Sequence, residues 1–158
     1  MAVKAVVDTQ VVVRGLLGIR RSACTAIFDA LSAGAFVAVT SPHIMQELRD
    51  VLDLPKLRRR YDLTDDEVLS LLEEYRELAE IVPGALGTLN IQSDPAIPAE
   101  DRAIVAAALE GAAQYLVTDD AGLLDVKVLS VSGYPTLQII APSPFVRQVL
   151  GTKDPATP

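Results

Sequence analysis

Apolar residues follow two rhythms along the chain. Short, unbroken, β-branched runs stand at 4–8 (KAVVD), 35–40 (AFVAVT) and 114–119 (QYLVTD), with a fourth at 136–141 (TLQIIA). Runs of that length without polar alternation predict strands buried on both faces, as in a parallel sheet. Between them the period lengthens to that of helices. SACTAIFDALSAG closes on Gly34 as a C-terminal cap, and SPHIMQELRDVL opens with Ser41 as N-cap and Pro42 at the first helical position. The segment 64–82 carries a capping box, Thr64 with Glu67, and an apolar stripe of Val68, Leu71, Leu72, Tyr75 and Leu78. An alanine-rich helix over 98–113 closes at Gly111, and a last one begins at Ser143 and Pro144. Residues 151–158 are polar and proline-rich and read as a frayed tail on a single domain spanning 1–150.

Strands alternating with helices predict right-handed crossovers and an α/β fold of three layers, α/β/α, with a mainly parallel central sheet. In such sheets the binding crevice lies at the carboxyl ends of the strands, where the strand order reverses. Asp8 stands at one such end. It interrupts a valine run together with Thr9 and Gln10, before Val11, Val12 and Val13 resume it. An ionised carboxylate among valines is costly unless something pairs with it.

Composition narrows the setting. Half of the 158 residues are hydrophobic, ample for one core, yet no apolar run approaches the ~20 residues of a membrane span. No secretory leader is visible, so the expectation is a soluble, cytoplasmic protein without membrane contact. The single Cys24 forms no internal disulfide and reads as a small buried residue. A formal charge of −7 argues against broad nucleic-acid binding through a basic surface, unless the acids gather around a cation. Two basic clusters run the other way: Arg14, Arg20 and Arg21, and Lys56, Arg58, Arg59 and Arg60.

Most acids, such as Glu73, Glu74, Glu77 and Glu80, belong on a solvated helix face. Asp8, Glu47, Asp101 and the pair Asp119 and Asp120 are placed differently, at strand ends, in a first helical turn or beside an apolar stripe. Ordinary roles compete for each of the later ones. Asp101 would complement a helix dipole, Asp119 or Asp120 would cap the turn AGLLDV, and Glu47 would pair with Arg49 or His43. Brought together at one sheet edge, however, the same carboxylates would repel one another and bind protons. A divalent cation removes that conflict. An all-oxygen set suits Mg²⁺ or Mn²⁺, whereas the lone His43, read as a helix-surface residue, makes zinc a poor match. Such an ion leaves coordination positions for a phosphate oxygen and a water, the requirement for phosphodiester hydrolysis.

These residues resemble the PIN-domain family, the metal-dependent ribonucleases that include the VapC-type toxins of toxin–antitoxin pairs. The likeness runs from Val3 to about Leu150 and rests on VVDTQVVVRGLL, SPHIMQELRDVL, EDRAIVAAALEGAAQYLVTDDAGLL and LQIIAPSPFVRQVL, in that order. It implies a Mg²⁺- or Mn²⁺-dependent endoribonuclease leaving 5′-phosphate and 3′-hydroxyl ends. It places Asp8, Glu47, Asp101 and Asp120 around the metal and Thr118 as the threonine of the family's Thr-x-Asp element, with Asp119 as spacer. RNA is the implied substrate, with Arg14, Lys56, Arg58 and Arg59 gripping its backbone. A cognate antitoxin is the implied protein partner, and a homodimer is compatible. Two positions depart from the pattern: Gln10 stands where the family has Asn, and Gly122 where a further acid is often found. Both favour the alternative, a PIN-like protein-binding module with weak catalysis. A phosphorelay receiver is excluded, because Asp8 is not followed by a second acid and TLQIIAPSP contains no lysine. Gln10 likewise excludes a phosphatase with an Asp-x-Asp nucleophile.

Overall fold

In a computed structural model, the described residues are 2–18, 20–86 and 97–152. Six strands form one sheet: β1 Lys4–Val7, β2 Val37–Thr40, β3 Ala79–Ile81, β4 Tyr115–Val117, β5 Val128–Leu129 and β6 Leu137–Ile140, in the order β3-β2-β1-β4-β6-β5. Every neighbouring pair is parallel except β5 with β6. The helices are α1 Thr9–Leu17, α2 Ala23–Ser32, α3 Pro42–Leu52, α4 Pro55–Arg60, α5 Asp65–Leu78, α6 Arg102–Glu110, α7 Ala121–Val126 and α8 Pro142–Pro144, the last continuing as a π-helical turn over Phe145–Val149.

The two-residue period of the strands builds the layers. Ala5, Val7, Ala38 and Val117 face a core completed by α1, α2, α3 and α5, while Val6, Val39, Leu116 and Leu137 face one completed by α6 and α7. From β1 the chain winds outward through β2 to β3, then returns to β4 on the other flank of β1. The strand order therefore reverses between β1 and β4, the position at which open parallel sheets bind their ligands.

The four predicted strands are present, slightly shortened, and Cys24 is buried. Several boundaries differ. The valine run after Asp8 is a helix, α1, whose N-cap is Asp8 itself, with Val11, Val12 and Val13 all buried. The helix expected over 64–82 stops at Leu78, because Ala79–Ile81 pairs with β2 as an edge strand. Thr64 caps that helix as expected, accepting from Glu67 N at 3.2 Å. Gly34 lies one residue beyond the C-cap Ala33 at φ 74°, a conformation glycine adopts freely. The last helix begins at Pro142 behind Ala141, one residue before the expected Ser143 cap. Of the polar tail, residues 153–158 lie outside the described residues. No described helix is long and apolar enough to cross a membrane.

Candidate functional site

Asp8 ends β1 and begins α1, so its carboxylate sits where a strand's last residue meets a helix's free N–H groups. Oδ1 accepts from Thr9 N at 2.8 Å, and Oδ2 accepts from the Thr118 hydroxyl at 2.7 Å. Each oxygen retains a lone pair. Thr118, fully buried just after β4, also accepts from Asp120 N at 3.0 Å. Its hydroxyl thus joins the two strand ends that flank the reversal of strand order. Asp120 is the N-cap of α7, with Oδ2 accepting from Leu123 N at 2.9 Å. Both side-chain roles available to it, helix cap and site carboxylate, coexist, because the cap occupies one lone pair of one oxygen.

Asp101 arrives from a different element. It ends a 3₁₀ turn, Ala99–Asp101, and is the N-cap of α6, yet its side chain caps no backbone N–H. The expected first-turn position is therefore shifted by one turn type, and the helix-dipole explanation no longer accounts for its side chain by a direct bond. Its carboxyl is pushed up to about 6, first by burial and then by the negative charges of Asp120, Glu100, Asp8 and Glu47. Three of these carboxylates come from stretches of chain far from Asp101, and the fourth, Glu100, is its neighbour in the same 3₁₀ turn. Glu47 contributes from α3, exposed and in no ion pair with Arg49 or His43 among the described residues; Arg49 pairs instead with Asp53.

Among the described residues, no three His, Cys, Asp or Glu side chains stand close enough, as placed, to grip one ion jointly. The donor set nevertheless fits a hard cation in chemistry and charge. All donors are carboxylate oxygens, and their mutual repulsion is relieved by positive charge. Space is available beside Asp120: a Cβ at Gly122 would lie 3.3 Å from its Oδ2 and 3.7 Å from Pro98 Cγ, so the glycine keeps that flank of the carboxylate open.

The remaining residues singled out from the sequence disperse. Arg14 bridges to Asp119 at 2.8 Å, with both side chains roughly half exposed. Arg58 is committed to Asp53 and Asp65, tying α4 to the start of α5. Lys56 and Arg59 are exposed on α4, and Gln10 is exposed on α1. Arg21 pairs with Asp29. Sequence reasoning missed Glu100 as a member of the acidic group, the Arg14–Asp119 bridge and the role of Glu110. The last grips the backbone N–H groups of Gly84 and Ala85 at 3.1 Å each. Only Glu100 carried a signal, its adjacency to Asp101.

A family model described as the PIN domain matches residues 4–122. No curated protein sequence matches the chain. Among solved structures, a chain in the crystal structure of VapBC2 from Rickettsia felis, bound to a DNA fragment from their promoter, superposes with a TM-score of 0.53 at 18% sequence identity. The match covers 86% of this chain and 98% of that one.

Proposed function

The chain belongs to the PIN-domain family, and from that premise we propose that it is a Mg²⁺- or Mn²⁺-dependent endoribonuclease, acting as the toxin of a cytoplasmic toxin–antitoxin pair. The observation that carries this reading is that the Thr118 hydroxyl ties the Asp8 carboxylate to the Asp120 backbone where the strand order reverses, with Asp120, Asp8 and Glu47 among the carboxylates whose charge acts on Asp101.

A divalent cation, when bound, supplies the charge that polarises the scissile phosphoryl group and makes water a better nucleophile. Asp8, Asp101 and Asp120 would hold it, with Glu47 completing the acidic ring. Thr118 fixes the Asp8 carboxylate through Oδ2 and the Asp120 backbone through its N–H, so two of the three ligands are oriented by one buried hydroxyl. Outside the ring, Lys56 and Arg59, exposed and in no ion pair among the described residues, present cationic heads to the RNA backbone. Arg58, held by two carboxylates, is better suited to keeping α4 in place. The fold likeness to a chain of VapBC2 supports an antitoxin as the protein partner.

The test is cleavage of single-stranded RNA with and without Mn²⁺, by wild type and by Asp8→Asn. Metal-dependent cleavage leaving 5′-phosphate ends, lost in the variant, is the expected result. Metal binding without cleavage by the wild type would instead support the protein-binding module.

A further inference from the structure

Arg14 and Asp119 are 105 residues apart in sequence, yet they close the two junctions that build the site. Arg14 lies on α1, which Asp8 begins; Asp119 lies between Thr118, which holds Asp8, and Asp120. The bridge is short, Nη1 to Oδ2 at 2.8 Å, but both partners are open to water, at 59% and 44% exposure. An ion pair so exposed contributes little to stability and exchanges readily with solvent or another anion.

An RNA strand approaching a ring of carboxylates meets repulsion at every position except where a cation stands. Arg14 is the guanidinium tied to the very loop that carries Asp120. A phosphodiester offers a guanidinium two oxygens in the geometry a carboxylate offers. Exchange of Asp119 for a phosphate therefore leaves the hydrogen bonding of Arg14 unchanged in kind. Asp119 loses its partner to water, which its exposure makes inexpensive.

We propose that the Arg14–Asp119 ion pair is a displaceable clasp, in which Asp119 occupies Arg14 until a phosphate of the RNA strand takes its place at the loop between Thr118 and Asp120. This rests on the ribonuclease reading and adds to it a regulation of substrate binding. Asp119 becomes an internal competitor of the substrate, weakening RNA binding while keeping an arginine on the loop that carries Asp120.

The experiment measures binding of a dye-labelled single-stranded RNA in Mg²⁺ over a range of salt, in an Asp8→Asn background that prevents cleavage. Added Arg14→Gln should weaken binding and lower the slope of log affinity against log salt by about 0.7, the value for one phosphate contact on a single strand. Added Asp119→Asn should tighten binding by no more than about fivefold, the ceiling for an exposed pair. In the double variant that gain should vanish, because no arginine remains to be released. Cleavage by the otherwise wild-type chain carrying Arg14→Gln should show a raised KM with kcat little changed. An unchanged salt slope in Arg14→Gln, or an Asp119→Asn gain that survives in the double variant, overturns the clasp while leaving the nuclease reading intact. Absence of both RNA binding and metal-dependent cleavage in the wild type overturns the nuclease reading and the clasp with it.

Discussion

The Thr118 hydroxyl donates to Asp8 Oδ2 at 2.7 Å while accepting from Asp120 N at 3.0 Å, so one buried oxygen fixes the ends of β1 and β4 to each other. Removing it strands a partly buried carboxylate oxygen and a backbone N–H together. Thr118→Val keeps the shape and loses both bonds, and should cost about 1.5–3 kcal/mol, the range for hydrogen bonds to charged groups. Thr118→Ser should recover most of that. Urea denaturation of the three proteins is the measurement, and equal midpoints for wild type and Thr118→Val would show that the bond holds nothing.

The raised pKa of Asp101 makes a statement about pH. An unfolded Asp ionises near 3.8, whereas this carboxyl does so at about 6. Between those values the folded chain binds more protons than the unfolded one, so stability from this group falls as pH rises from about 4 to about 6 and is flat above. Without metal, acidification from pH 7 toward 5 should therefore raise the melting temperature relative to an Asp101→Asn variant, which lacks the titration. With Mn²⁺ the order changes. Protons compete with the cation for the same oxygens, and the metal-induced rise in melting temperature should shrink below about pH 6. A pH-independent difference between wild type and Asp101→Asn would remove the acidic group's electrostatic coupling.

Gly111 tests the packing behind the site. A Cβ there would lie 2.5 Å from Val39 Cγ1 and 3.1 Å from Cγ2, so the end of α6 approaches β2 closer than any side chain allows. Gly111→Ala should destabilise by about 1–3 kcal/mol through overpacking. Because the clash is with one side chain, the penalty should be smaller in a Val39→Ala background. Additive effects of the two substitutions would locate the strain elsewhere.

What the sequence made legible follows from which signals are local. The strands β1, β2, β4 and β6 are buried on both faces and so appear as unbroken apolar runs. Strand β3 is an edge strand of three residues, AEI, which continues the preceding helical rhythm; only its pairing with β2 makes it extended. Helix α1 hid because three consecutive valines resemble a strand, and only the tertiary contacts of Val11, Val12 and Val13 favour a helix there. At the site, Asp8 and Asp120 were visible as acids at strand ends. The grouping of Glu47 and Asp101 with them was an expectation from fold and resemblance rather than from local pattern. Asp119 gave no sign of its partner, since nothing near it in sequence points to Arg14.

Asp119 and Asp120 follow the same strand, and composition does not distinguish them. Their environments do. Asp119 turns to Arg14, at 2.8 Å, whereas Asp120 adds more to the charge acting on Asp101 than any other carboxylate. Successive side chains at the end of an extended segment diverge, so one ion is served by one of the two. Asp120→Asn should keep the cap on α7, because asparagine accepts from the Leu123 N–H as well as aspartate does, and should leave the melting temperature of the metal-free protein level or raised. It should nevertheless lose most metal-dependent cleavage and most of the Mn²⁺-induced stabilisation. Asp119→Asn should retain kcat within a few-fold and a full response to Mn²⁺. The measurement is cleavage and thermal shift on both variants at equal folding, and the reverse pattern would move the metal ligand one residue toward β4.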